Sequence, residues 1–174
     1  MGDNQDVPIN TYKENFKGHI SFVKVGKKGE MDLAFQIVTP GVNFDLSHAG
    51  KGKSHGWFFF SSYNTEQANT LLEVNASQKD KDFIMAVNWK KAEEYIKAGK
   101  GIKQKARYAH NTWDEKTHTA KSEIKTDVLV LDAAALKDIC YMIPCPKSPH
   151  GCDVDPTGEY IVGSGKLAAL IPVF

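Results

Sequence analysis

Short apolar segments separated by glycine and proline turns constrain this chain more than any other feature of its sequence. The segments are five to eight residues long and rich in aromatic and β-branched side chains, which is typical of strands. They occupy residues 19–25, 33–38, 57–63, 83–87, 127–131, 139–143, 159–163 and 167–174. This pattern predicts a mostly β chain built as a sandwich, a barrel or a propeller.

Two turns indicate how these strands connect. Residues 26–29 join the first two segments into a candidate hairpin. Residues 155–158 carry proline second and glycine fourth, which is the signature of a type I turn. A His-Gly loop, this turn, a glycine-terminated strand and a further apolar strand follow one another, as in the inner hairpin of a propeller blade. We therefore predict part of a β-propeller, with about two to three blades.

One short helix interrupts the strands. Asn88 is suited to cap its start and Gly99 to end it, and Glu93 precedes Lys97 by four residues in the favourable order. Residues 40–56 are predicted to be a glycine-rich loop. Residues 100–126 are polar and poorly periodic, which predicts an insertion or a long surface connection.

The charge balance excludes whole classes of partner. Lysine and arginine total 22 against 21 acidic residues, for a formal net charge of +1. A chain with this charge balance has no net positive electrostatic field that would attract nucleic acid or anionic lipid. No apolar run approaches the length of a membrane span.

Both ends of the sequence look cut. The start is polar and has no apolar signal region, whereas the chain stops within the apolar run of residues 168–174. We expect a polar N-terminal segment over residues 1–18 and a partial propeller over residues 19–174.

His150 is the first candidate for chemistry. Pro149 stiffens the chain before it and Gly151 permits a tight turn after it, so the loop can direct the imidazole into a central channel. Neutral imidazole is a good copper ligand. A structural loop histidine is the alternative, and the spacing alone does not exclude it.

The three cysteines offer a second candidate. Cys140, Cys145 and Cys152, with His150, lack the spacing of a Cys-x-x-Cys metal site. The positions of Cys140 and Cys145 differ by an odd number, so on one strand these residues point to opposite faces. Buried thiols are therefore favoured over a thiolate metal site.

Acidic residues flanking two strands form a third candidate. Tyr63 and Glu66 leave one strand, and Asp80 and Asp82 precede the next. Their oxygens can converge on a hard cation such as calcium. Solvated turn carboxylates are the alternative. His48, His55, His110 and His118 lie in segments predicted to be polar loops and are interpreted as surface residues, whereas His19 starts a strand and stays open.

Residues 56–66 and 148–167 resemble the nitrous oxide reductases, and the likeness extends over residues 19–174. The resemblance implies a homodimer in the periplasm. Each subunit would carry a seven-bladed propeller around a tetranuclear copper-sulfide cluster, followed by a cupredoxin domain with a two-copper electron-entry site. It implies reduction of nitrous oxide to dinitrogen and water, with electrons from a donor such as a cytochrome c or a cupredoxin.

The resemblance also implies roles for individual residues. His150 matches a histidine ligand of the copper cluster, and Asp45 matches an outer aspartate that tunes such ligands. Tyr63, Glu66 and Asp80 match calcium ligands, with Asp82 as a rival for the third position.

The chain also departs from the family pattern. Ser148 replaces an asparagine that also binds calcium in the better-known branch, and the remaining cluster histidines and the two-copper site have no counterpart here. This piece alone is therefore expected to be inactive. A non-catalytic, calcium-stabilised propeller used for binding is the alternative function.

Overall fold

A computed structural model describes residues 18–29, 31–39, 44–62, 82–105, 110–114, 116–117, 119–123, 127–146 and 149–174. The described chain is mostly β, as the sequence predicts. It contains twelve strands and one helix, α1 (Trp89–Lys97). The strands are β1 (Gly18–Val25), β2 (Met31–Thr39), β3 (Phe44–Ala49), β4 (Trp57–Ser62), β5 (Asp82–Asn88), β6 (Ile102–Lys105), β7 (His110–Asp114), β8 (Thr119–Glu123), β9 (Asp127–Asp132), β10 (Cys140–Cys145), β11 (Pro149–Val154) and β12 (Ile161–Gly165).

The strands form two four-stranded sheets and two hairpins. One sheet has the order β10-β5-β4-β3 and is antiparallel throughout. The other has the order β1-β2-β9-β6, in which β2 and β9 run parallel. β11 pairs with β12, and β7 pairs with β8. Short sheets of this kind are consistent with part of a propeller.

The alternation of side chains along β5 explains how these layers pack. Met85 and Val87 are fully buried in a cluster with residues of β2, β9 and α1. Ile84 and Ala86 point to the opposite face, where they pack with the β11–β12 hairpin. The sheet containing β5 therefore lies between the other four-stranded sheet and this hairpin.

Several local predictions are confirmed. The Gly29 N–H donates to the Gly26 carbonyl at 3.1 Å in the β1–β2 turn, and the Gly158 N–H donates to the Asp155 carbonyl at 3.0 Å. The Asn88 side chain caps α1 by accepting from the Lys91 N–H at 2.9 Å.

Other predictions were wrong in ways that have a physical cause. Strand β3 lies inside the predicted loop of residues 40–56, and β6, β7 and β8 lie inside the predicted connection of residues 100–126. β6, β7 and β8 are mostly polar, and β6 is exposed even at Ile102 (68%), so these three strands lack the alternation that reveals a half-buried strand. β3 alternates only over residues 44–47, within a glycine-rich stretch. Residues 167–174 form no strand beyond a single bridge between Val162 and Val173.

Some predictions made from the sequence concern residues that the structure does not describe. This applies to residues 1–17 of the predicted N-terminal segment, so the predicted boundary between residues 18 and 19 stays a prediction. Within the described part of the chain, no helix has the length and apolarity needed to cross a membrane.

The loop before β4 packs closely against the turn after β11, at a contact that we call the glycine junction. The Lys53 N–H donates to the Thr157 carbonyl at 3.0 Å, and Lys53 also pairs with Glu159.

Within the turn, the Thr157 hydroxyl and the Tyr160 N–H donate to Asp155, which holds the pKa of that carboxyl well below its usual range. Gly158 has a φ of 77°, and a Cβ added there would lie 1.8 Å from the Lys51 carbonyl oxygen. Only glycine fits this junction.

The core packing around Ile84 generates the first prediction. Ile84→Ala leaves a cavity between β5 and the β11–β12 hairpin, so we expect the free energy of unfolding to fall by about 3 kcal/mol. The control is Ile102→Ala, the same truncation at a residue that is 68% exposed, with an expected change within about 0.5 kcal/mol. Urea unfolding followed by circular dichroism measures both, and equal losses would contradict the described core.

The glycine junction generates the second prediction. Gly158→Ala introduces both a strained φ and a backbone overlap, whereas Gly29→Ala, at a φ of 89° with nothing within 4 Å of the new Cβ, introduces the strain alone. We expect Gly29→Ala to cost about 1–2 kcal/mol and Gly158→Ala clearly more. The difference between their urea midpoints measures the overlap, and no difference would show that the junction is absent in solution.

Candidate functional site

His150 lies at an irregularity of its strand. The register between β11 and β12 shifts between Pro149 and Gly151, so His150 stands at the shift. Pro149 is buried, whereas the His150 side chain is 50% exposed. A bulge redirects the side chain that it carries. The ring therefore projects from the hairpin and is open to a ligand.

Asp45 lies at a second irregularity and faces His150. The register between β3 and β4 shifts between Phe44 and Ser47, which brackets Asp45. Its Oδ2 lies 3.6 Å from the His150 Nε2, beyond hydrogen-bond distance. This oxygen is buried and has no hydrogen-bond partner in the described part of the chain. The structure thus brings together the two residues for which the resemblance implies roles at one copper site.

A cavity of about 460 Å³ opens beside Asp45 between the two four-stranded sheets. Its walls come from β1, β3 and β4. They are mostly apolar and consist of His19, Ile20, Ser21, Phe22, Val23, Phe44, Asp45, Ser47, Phe58 and Phe60. His19, which the sequence leaves open, therefore lies on the same cavity as Asp45.

The predicted calcium residues cannot be placed. Tyr63, Glu66, Asp80 and Ser148 lie outside the described residues. Asp82 is described and is 1% exposed at the start of β5, opposite Cys145. Among the described residues, no group of three or more histidine, cysteine, aspartate or glutamate side chains is arranged to hold a metal ion.

Cys145 and Cys152 are buried and Cys140 is partly buried, and Cys140 and Cys145 lie on opposite faces of one sheet. Cys140 packs against the cluster around Met85, and Cys145 belongs to the cluster around Ile84, which confirms their predicted opposite orientation. The Cys152 thiol donates to the Phe59 carbonyl at 3.5 Å. Burial raises the pKa of each of the three thiols to about 11. Protonated thiols are poor metal ligands, which favours the structural interpretation.

The structure reveals one further pair that the sequence reading missed. His48 was interpreted as a surface residue of a loop, but it lies on β3 and its Nδ1 is 2.9 Å from the Asp153 Oδ1 on β11. No local motif signals this pair, because its members are 105 residues apart and meet only when β3 lies beside β11.

Thiol burial generates the third prediction. With pKa values near 11 instead of 9.0, the folded thiols carry about a hundredfold less thiolate at pH 8. We therefore expect iodoacetamide to modify the native chain at least that much more slowly than the chain in urea, as followed by mass spectrometry. Because the folded form holds these protons more tightly, stability should also fall as the pH rises from about 9 to 11. Rapid modification of the native chain would contradict the buried positions.

Two curated proteins match most of the chain. The nitrous-oxide reductase of Pseudomonas fluorescens is 28% identical over 144 residues, which cover 82% of this chain and 19% of that protein. The nitrous-oxide reductase of Stutzerimonas stutzeri is 27% identical over 140 residues, which cover 79% of this chain and 18% of that protein.

The chain spans about a fifth of the length of the curated relatives that it matches. No family model matches the sequence. Over about four fifths of its length, the chain is thus similar to a segment of nitrous-oxide reductase, and the resemblance found in its sequence is confirmed.

Proposed function

We propose that this chain is a propeller segment of a copper-dependent nitrous oxide reductase and that His150 is one of its copper ligands. The observation that carries the proposal is the Asp45–His150 pair, in which a half-exposed imidazole faces a buried carboxylate oxygen across 3.6 Å. The similarity to two nitrous-oxide reductases supports the choice of reaction.

The two residues fit the chemistry of a copper ligand and its support. A metal-binding imidazole typically donates its other N–H to a carboxylate, which fixes the ring and raises its basicity. Asp45 supplies such a carboxylate, and a small rotation of the ring would close the 3.6 Å separation to a hydrogen bond. Imidazole nitrogen is a good donor for copper.

This chain would supply only part of the site. One imidazole cannot hold a tetranuclear copper-sulfide cluster, so the remaining histidines must come from elsewhere in a complete enzyme. Bound copper would supply the two electrons that, with two protons, convert nitrous oxide to dinitrogen and water. The residues here hold the ligand ring, orient it and shield one side of it with the β3–β4 surface.

Further parts of the proposal rest on the resemblance. Calcium held by Tyr63, Glu66 and either Asp80 or Asp82 would pin the segment after β4 and the start of β5 near the His150 strand before copper is loaded. A complete enzyme would act as a homodimer in the periplasm and take electrons from a cytochrome c or a cupredoxin.

The proposal yields the fourth prediction. The experiment uses an enzyme in which residues 18–174 replace the matching segment of the Stutzerimonas stutzeri protein. We expect His150→Ala to abolish nitrous oxide turnover and to lower the copper content of the cluster, while the electron-entry copper stays unchanged. Asp45→Asn should lower turnover by about 10- to 100-fold, since it removes the support of the ligand and not the ligand itself.

Gas chromatography of nitrous oxide consumption and metal analysis measure these effects. His55→Ala is the matched control, because His55 is exposed and its ring packs against Trp89, away from Asp45. Full turnover in the His150→Ala enzyme would contradict the proposal. Calcium binding by an otherwise inactive hybrid would favour the non-catalytic propeller instead.

A further inference from the structure

β3 and β11 lie side by side although they belong to different sheets. β3 is hydrogen-bonded to β4, and β11 is hydrogen-bonded to β12. No backbone ladder between β3 and β11 is present in the described structure. Within the two strands, side chains therefore make the contacts that fix how far one strand lies along the other, and the backbone hydrogen bond from Lys53 to Thr157 connects the segments that follow them.

Two carboxylate–imidazole pairs connect β3 to β11, and both pairs join residues that are the same number of positions apart in sequence. Asp45 on β3 faces His150 on β11, and three residues further along both strands His48 faces Asp153. Each pair joins residues 105 apart in the chain (45 with 150, 48 with 153). The constant offset means that the strands run in the same direction. One pair has its acid on β3 and its base on β11, and the other pair has the reverse arrangement.

The His48–Asp153 pair is the closer of the two. Its nitrogen and oxygen are 2.9 Å apart, against 3.6 Å for the other pair. The same His48 Nδ1 also lies 3.4 Å from the backbone nitrogen of Val154. His48 thus contacts both a side chain and the backbone of β11, and its pair with Asp153 is the shorter of the two contacts.

Leu46 on β3 contacts β11 between the two pairs. The Cys152 thiol lies 3.9 Å from the Leu46 carbonyl oxygen, and a Cβ on Gly151 would lie 3.7 Å from the Leu46 side chain. A slip of one residue displaces a strand by about 3.3 Å. Such a slip would take the Asp45 carboxylate out of reach of the His150 ring.

We propose that His48 and Asp153 are positioning residues, which fix the register of β3 against β11 and thereby hold Asp45 against His150. The importance of this arrangement for copper rests on the proposed function, whereas the positioning itself is a property of this chain. It adds two residues to the site that act through Asp45 and not on the substrate.

The experiment measures the His150 ring in the chain itself by long-range proton–nitrogen NMR with labelled histidine. In the wild type, Asp45→Asn should shift the His150 ring nitrogen signals, because it removes the facing carboxylate. In the His48→Gln and Asp153→Asn backgrounds, we expect this response to fall by at least half. The exchanged pair H48D/D153H should restore it, since it rebuilds the same contact with acid and base interchanged.

Glu93→Gln is the matched control, since it removes an exposed ion pair with Lys97 on α1 that does not touch β3 or β11. Its background should leave the response to Asp45→Asn at the wild-type size. Urea midpoints within error of the wild type would show that the variants stay folded. If His48→Gln unfolds, the exchanged pair still decides the question, because a folded exchanged variant without the Asp45 response would overturn the proposal.

The two proposals fail in different ways. An unchanged Asp45 response in His48→Gln and Asp153→Asn would overturn the positioning role and leave the copper function intact. A reduced response that the exchanged pair restores, together with full turnover of the hybrid His150→Ala enzyme, would support the positioning role and overturn the copper function. In an active hybrid, His48→Gln and Asp45→Asn should lower turnover to a similar extent and should not be additive.

Discussion

The docking of the β11–β12 hairpin onto the sheet of β3, β4, β5 and β10 is the contact on which the candidate site depends. It is made by apolar packing of Cys152, Val154 and Ile161 against Phe59, Ile84 and Ala86. Apolar packing is strong but non-directional, so it brings the hairpin to the sheet without fixing its register. Directional contacts at the edge of that packing fix the register, and they include the carboxylate–imidazole pairs and the backbone hydrogen bond from Lys53 to Thr157. Stability and site geometry are therefore supplied by different groups.

The sequence predicts those parts of the fold whose signal is local. The Asn88 cap, the 155–158 turn and the β1–β2 hairpin each need only a few neighbouring residues, and all are present. β3 is missed because none of its residues is buried and the strand lies within a glycine-rich stretch. β3 forms because it pairs with β4, and the strand propensity of its own residues does not encode that pairing. The parallel pairing of β2 with β9 is a similar case, because its partners are 94 residues apart in sequence (Gln36 with Val130).

The candidate site was predictable to a different degree for each residue. Asp45 was singled out by resemblance alone, and His150 by its Pro-His-Gly loop together with the resemblance; spacing alone would not have separated either from ordinary loop and strand residues. Their proximity is a property of the fold, since 3.6 Å between two side chains so far apart in sequence requires β3 and β11 to lie together. His48 and Asp153 were beyond reach from sequence, because nothing near either residue marks it as paired.

The energetics of Asp45 argue that this region is shaped by more than stability. A buried polar atom without a partner typically costs about 1–3 kcal/mol, and the Asp45 Oδ2 is such an atom. The register shifts at Asp45 and at His150 each interrupt a strand pairing that regular strands would complete. An unshifted strand would complete its ladder. Irregular strand pairing and unpartnered polar atoms are expected to occur together where a site requires a particular geometry at the expense of stability. Here two register shifts occur at the two members of one carboxylate–imidazole pair. This coincidence is the physical reason for placing the candidate site at Asp45 and His150.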